Sequence, residues 1–167
     1  MSLAALLLPE LDAEFASTRK ILERVPEGRN EWRPHARSMT LSRLAAHVAE
    51  VPAWIPPTLT QDSLDIAPPG APPYQAPELS TVAALLAAFE KNGAAGRAAL
   101  AAARDDAFQQ PWTFLYGGQA FWTKPRLDVY RSFCLNHLVH HRAQLGVYLR
   151  LLDIPIPGMY GPSADER

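Results

Sequence analysis

The sequence predicts an all-α fold: a four-helix bundle with one long crossover and a small β-hairpin. Three observations carry this expectation. Four stretches repeat apolar residues at helical spacing, a proline-rich segment of roughly twenty-five residues separates the second from the third, and two aromatic runs flank a Gly-Gly pair before the fourth.

The first helix is expected from Leu8 to Val25, with Leu8, Leu11, Phe15, Leu22 and Val25 forming one stripe. Pro9 suits an early helical position and Pro26 ends the run. Glu27 to Met39 then form a connection that contains Trp32-Arg-Pro-His35. The second helix spans about Leu41 to Trp54, with Thr40 as N-cap and Leu41, Leu44, Val48, Val51 and Ile55 facing inward. Pro52 should kink its last turn, and Pro56-Pro57 should stop it. The crossover that follows holds seven prolines, from Pro56 to Pro77, and is long enough to run the length of a bundle.

The third helix, near Thr81 to Arg104, is alanine-rich with Ser80 as its expected cap. Gly93 and Gly96 either weaken it by about 1 kcal/mol each or permit close packing. Trp112 to Trp122, centred on Gly117-Gly118, reads as a hairpin. The fourth helix should open with Pro125 at its first position and continue to Leu152. Its stripe is Leu127, Tyr130, Cys134, Leu138, Leu145, Tyr148, Leu149 and Leu152.

Bulk properties narrow the function classes. The 167 residues suit one domain, 1–167, with a real core. A formal net charge of −1 gives no basic face for nucleic acid. The single cysteine, Cys134, rules out an internal disulfide framework and suits a reducing cytoplasm. The Leu3–Leu8 run is too short for a signal segment, and nothing approaches the ~20 apolar residues that span a bilayer. A cytoplasmic protein acting on a small molecule, away from membranes, is the expectation.

The chemistry concentrates in histidine. His137 and His141 are four residues apart, a spacing that stacks two imidazoles on one helical face. At ~100° per residue, His141 falls near the centre of the fourth helix's apolar stripe, His137 at its edge and His140 outside. His47 takes the edge of the second helix's stripe, and Trp54 projects from the same side. Three neutral imidazoles from two helices make a set of ligands with open positions, suited to zinc and also to nickel or ferrous iron. An open position can hold a water whose pKa drops towards ~7, or a thiolate. Glu50, one turn from His47, is expected to face outward and is not counted as a ligand. His35 reads as solvated and Cys134 as a small inert hydrophobe; His140 reads as a surface contact or a flanking group behind the ligands.

Arg33-Pro-His35, Met39-Thr-Leu-Ser-Arg-Leu-Ala-Ala-His47 and His137-Leu-Val-His-His-Arg-Ala-Gln-Leu145 together resemble the DinB/YfiT-like superfamily of candidate metalloenzymes. The ending Asp153-Ile-Pro-Ile-Pro-Gly-Met-Tyr-Gly-Pro-Ser-Ala-Asp165 is similar to a tail found in many members. The resemblance implies up-down-down-up connectivity, a divalent metal on His47, His137 and His141, and a homodimer. It also implies metal-dependent chemistry of two kinds: transfer involving a low-molecular-weight thiol, or hydrolysis.

Around that centre, Trp54, Trp112 and Tyr116 are candidates for a pocket wall, with ordinary core packing as the alternative. Arg142 and Gln144 are candidates for orienting the ligands or the C-terminal segment, with surface ion pairing the alternative for Arg142. Two other functions stay open. One is a non-catalytic interaction or stress-response module whose metal staples the bundle; the other is a degenerate bundle that binds a hydrophobic ligand.

Overall fold

A computed structural model describes residues 1–72 and 74–166. Helix α1 runs Leu3–Leu22, earlier at both ends than expected. Its start is fixed by Ser2, whose Oγ accepts from the Ala5 N–H at 3.2 Å, and by Asp105, whose carboxylate accepts from the Leu3 N–H. Pro9 therefore lies inside the helix rather than near its start. It removes one backbone hydrogen bond, and burial of Leu7 and Leu11 on either side helps hold the turn together.

Helix α2 (Leu41–Glu50) begins as expected, with Thr40 Oγ1 accepting from the Arg43 N–H. It continues as a 3₁₀ turn over Val51–Trp54 and then as α3 (Ile55–Thr60). Pro56-Pro57 thus do not end the helical path. They occupy the first turn of α3, where an N–H needs no helical acceptor, so the missing donors cost nothing there.

Helix α4 spans Val82–Ala102, and Thr81 rather than Ser80 caps it through a bond from the Ala84 N–H. Its glycines serve close packing. A Cβ on Gly93 would stand 3.2 Å from the Phe15 ring, and one on Gly96 would stand 3.0 Å from the Pro52 carbonyl. The Gly96 contact lets α4 press against the 3₁₀ turn that carries Trp54.

The all-α expectation is too narrow: the chain is mostly helical with a three-stranded sheet. Strands β2 (Pro111–Tyr116) and β3 (Gln119–Pro125) form the expected antiparallel hairpin, with Gly117 and Gly118 at φ +62° and +78°. The unexpected strand is β1 (Ser63–Asp65), from the start of the crossover, which pairs in parallel with β2. Three residues in a proline-rich stretch carry no strand pattern of their own. The Asp65 carboxylate fastens them by accepting from the Gly117 and Gly118 N–H groups.

Pro125 closes β3 and caps the last helix from outside rather than occupying its first turn. That helix comprises α5 (Arg126–Val129), a π turn over Tyr130–Leu135 and α6 (Asn136–Leu151). Helices α1 and α2 each pack on both α4 and α6. Two apolar clusters fill the interior. One is built around Leu44, Val48, Phe89 and Leu145, the other around Leu11, Ile55, Phe108 and Tyr130; Phe15 and Trp54 touch both. Among the described residues no helix is long and apolar enough to cross a membrane.

Candidate metal centre

His47 occupies the last turn of α2, while His137 and His141 rise from successive turns at the start of α6. Because α2 packs directly on α6, the three rings meet. Ring centroids lie 4.5 Å apart for His47 and His141, 4.6 Å for His137 and His141, and 5.2 Å for His47 and His137. One nitrogen from each ring falls within 4.8 Å of the other two, and the Nε2 atoms of His47 and His137 are 3.1 Å apart. Two nitrogens bound tetrahedrally to one zinc are about 3.3 Å apart, given bonds of ~2.0–2.1 Å. The cluster is already near that spacing.

Protonation and orientation also fit a cation. Burial pushes the His137 imidazole down to about 4, with the neighbouring rings of His141, His47 and His140 adding to the effect. Burial likewise lowers His141. Both are therefore neutral near pH 7, with a lone pair to donate. The Nδ1 of His141 lies 2.8 Å from the Gln144 amide oxygen, which places the proton on Nδ1 and frees Nε2. His47 Nδ1 is buried without a hydrogen bond and lies 3.5 Å from the Glu50 carboxylate, too long for a hydrogen bond but close enough to favour a proton on that side. The Nε2 atoms of His47 and His137 face each other across a gap that a shared cation can bridge. The residues present fit a divalent metal.

Glu50 does not face outward as its sequence position suggested. It turns back beneath His47, with only 15% of its side chain exposed, and holds Arg43 Nη1 at 2.8 Å and the Tyr74 hydroxyl. The available signal was its i+3 spacing from His47. Phe133 was missed as well. It lies four residues before His137, stacks on Trp54 at 4.8 Å, and meets His137 edge-on.

Of the expected wall residues, Trp54 sits edge-on to His47 and His137 and lines a cleft of about 470 Å³ shared with His47 and Arg43. Trp112 does not line that cleft. It is fully buried, with its indole N–H donating to the Pro57 carbonyl, and belongs to the core behind Phe133. Tyr116 is exposed and faces a separate hollow with Phe114 and Phe121.

His140 is exposed and only flanks His141, outside the converging group. Arg142 is not a surface ion pair but is 2% exposed. It meets the Glu14 carboxylate at 2.6 Å and donates to the Glu14 carbonyl, Thr18 Oγ1 and the Tyr160 hydroxyl, so it fastens α6 to α1 and to the C-terminal segment. His35 is exposed, its Nδ1 accepting from the Arg37 N–H. Burial pushes the Cys134 thiol up to about 12, which leaves it an inert filler.

Two solved structures share this fold. A DinB-like protein from Bacillus subtilis superposes with a TM-score of 0.66 at 15% identity, over 90% of this chain and 96% of its own. Another, from Bacillus cereus, gives 0.67 at 22% identity, over 92% of this chain and 95% of its own. No curated protein matches the sequence. The model of the DinB family matches residues 1–167, and with the shared fold this places the chain in the DinB family.

Proposed function

We propose that this chain is a single-domain, divalent-metal-dependent enzyme, built as an up-down-down-up bundle, whose centre is His47, His137 and His141. Zinc is the first choice of ion, with nickel or ferrous iron suited to the same nitrogen set. The observation that carries the reading is the convergence of three nitrogens within 4.8 Å, one of them from a ring that also lines an open cleft.

When bound, the ion supplies a Lewis-acid centre for either of two reactions: transfer from a low-molecular-weight thiol to a small electrophile, or hydrolysis. The protein's own groups do the positioning. Gln144 holds the His141 ring, Glu50 backs His47, and Trp54 and Phe133 fix His137 from the side. Trp54 and the neighbouring apolar side chains keep water from one flank of the cleft.

The alternative is a non-catalytic interaction or stress-response module in which the ion staples α2 to α6. A structural zinc site is normally closed by four protein ligands. Among the described residues the converging group has three members, and Glu50 stands behind His47 rather than among them, which favours the enzyme. A cytoplasmic setting and a homodimer belong to the same proposal. Elemental analysis after gel filtration tests it: about one divalent ion per chain is expected, lost in His137→Ala and His141→Ala. Equal metal in both variants and the parent removes the reading.

A further inference from the structure

The cleft beside His47 has a composition of its own. Arg43, Trp54, Leu64, Asp65, Ile66 and Tyr74 line it together with His47. Its charged groups are already matched. Arg43 is paired with Glu50, and the Asp65 carboxylate is taken up by the backbone N–H groups of Ala67, Gly117 and Gly118. A charged ligand would find no unmatched partner at either. The apolar groups are not matched: Ile66 is 44% exposed and Tyr74 62%. Large apolar side chains left open around a concave surface mark a place where something apolar is bound.

The wall behind the cleft is braced. Trp54 stacks on Phe133 with an interplanar angle of 18°. Phe133 in turn rests on Phe114 and Trp122, which stack on each other at 5.3 Å. Sheet register explains the support: Phe114 pairs with Leu64 on one side and Trp122 on the other, so these three side chains share one face. The unexpected strand β1 thus brings Leu64 and Ile66 to the histidine centre.

We infer that this cleft is a subsite for an uncharged, planar aromatic ring of the substrate, seated against Trp54, Leu64 and Ile66 beside the three imidazoles. The inference rests on the reading of that centre as reactive and adds the class of group it acts next to. A cleft of about 470 Å³ lies within the range of small-molecule sites and admits a fused two-ring system.

Isothermal titration of the full chain tests it, with three probes: 2-naphthol, its saturated analogue decahydro-2-naphthol, and anionic 2-naphthoate. Saturable one-to-one binding of 2-naphthol is expected. The saturated analogue should bind about two- to tenfold more weakly, the range that stacking adds beyond buried area, and the anion should bind no tighter than 2-naphthol. Ile66→Asp, at an exposed position, should weaken 2-naphthol binding at least tenfold, and Tyr116→Ala should leave it unchanged. Absent binding, equal affinity for the saturated ring, tighter binding of the anion, or indifference to Ile66→Asp would each overturn the inference. Metal measured on the same samples separates the two readings. Metal retained without 2-naphthol binding removes the subsite alone, and 2-naphthol binding by a chain that retains no metal removes the metal centre alone.

Discussion

His141 and Arg142 are consecutive on α6, yet they build opposite kinds of polar interior. Arg142 turns towards α1, where oxygens of Glu14, Thr18 and Tyr160 answer its guanidinium. His141 turns towards α2, where it meets two other imidazoles, nitrogen against nitrogen. One cluster is saturated by the chain and the other is not. Buried polar groups are normally partnered within the protein, yet in the histidine cluster, which Gln144, Glu50 and Trp54 hold in place, the buried Nδ1 of His47 has no hydrogen bond.

The largest expected effect falls on the saturated side. Arg142→Met leaves the Glu14 carboxylate, 13% exposed, without its countercharge and should cost roughly 3–5 kcal/mol in a denaturant titration. Metal content per folded chain should stay at the parental value. If metal is lost along with stability, the two clusters are not independent.

Next come the converging histidines. His137→Ala or His141→Ala should weaken metal binding by more than the ~10–100-fold that loss of an outer partner costs. The far-ultraviolet circular dichroism of the metal-free chain should be preserved. Glu50→Gln and Gln144→Leu are expected within that ~10–100-fold range, measured by competition with a chromophoric chelator. An unchanged affinity in Glu50→Gln would show that the carboxylate serves only Arg43 and Tyr74.

A pH series sharpens the contrast further. His137 is held near 4 in the folded chain against 6.5 for the free group, so between those values the unfolded chain binds more protons. Stability of the metal-free protein should be at full value above pH 6.5 and fall as pH drops towards 4. His137→Gln should flatten that decline, whereas His140→Ala, at an exposed position, should leave it in place. The smallest effect is predicted for His140→Ala, exposed and outside the group: metal affinity within about twofold of the parent, since surface substitutions away from specific contacts change little.

Much of this was legible from local pattern. Periodicity and a cap at Thr40 place α2, and the four-residue spacing of His137 and His141 gives two of the three converging imidazoles. What escaped depends on partners distant in sequence. β1 exists because β2 and the Asp65 carboxylate receive it, and α1 begins at Leu3 partly because Asp105 accepts its first N–H. Pro56-Pro57 mislead because a proline stops a helix in its interior but suits its first turn, and only the 3₁₀ interruption creates a new first turn there. Glu50 was expected to face outward, yet Arg43 and Tyr74 draw it back under His47. Arg142 could not be called buried before its acceptors on α1 and the C-terminal segment were located.

The central claim is that three rings share one ion. Crystals grown with zinc and measured at its absorption edge test it most directly. One anomalous peak is predicted, at about 2.0–2.1 Å from a single nitrogen each of His47, His137 and His141, with no fourth protein ligand. A peak bound elsewhere, or a zinc held by fewer than these three rings, would contradict the account.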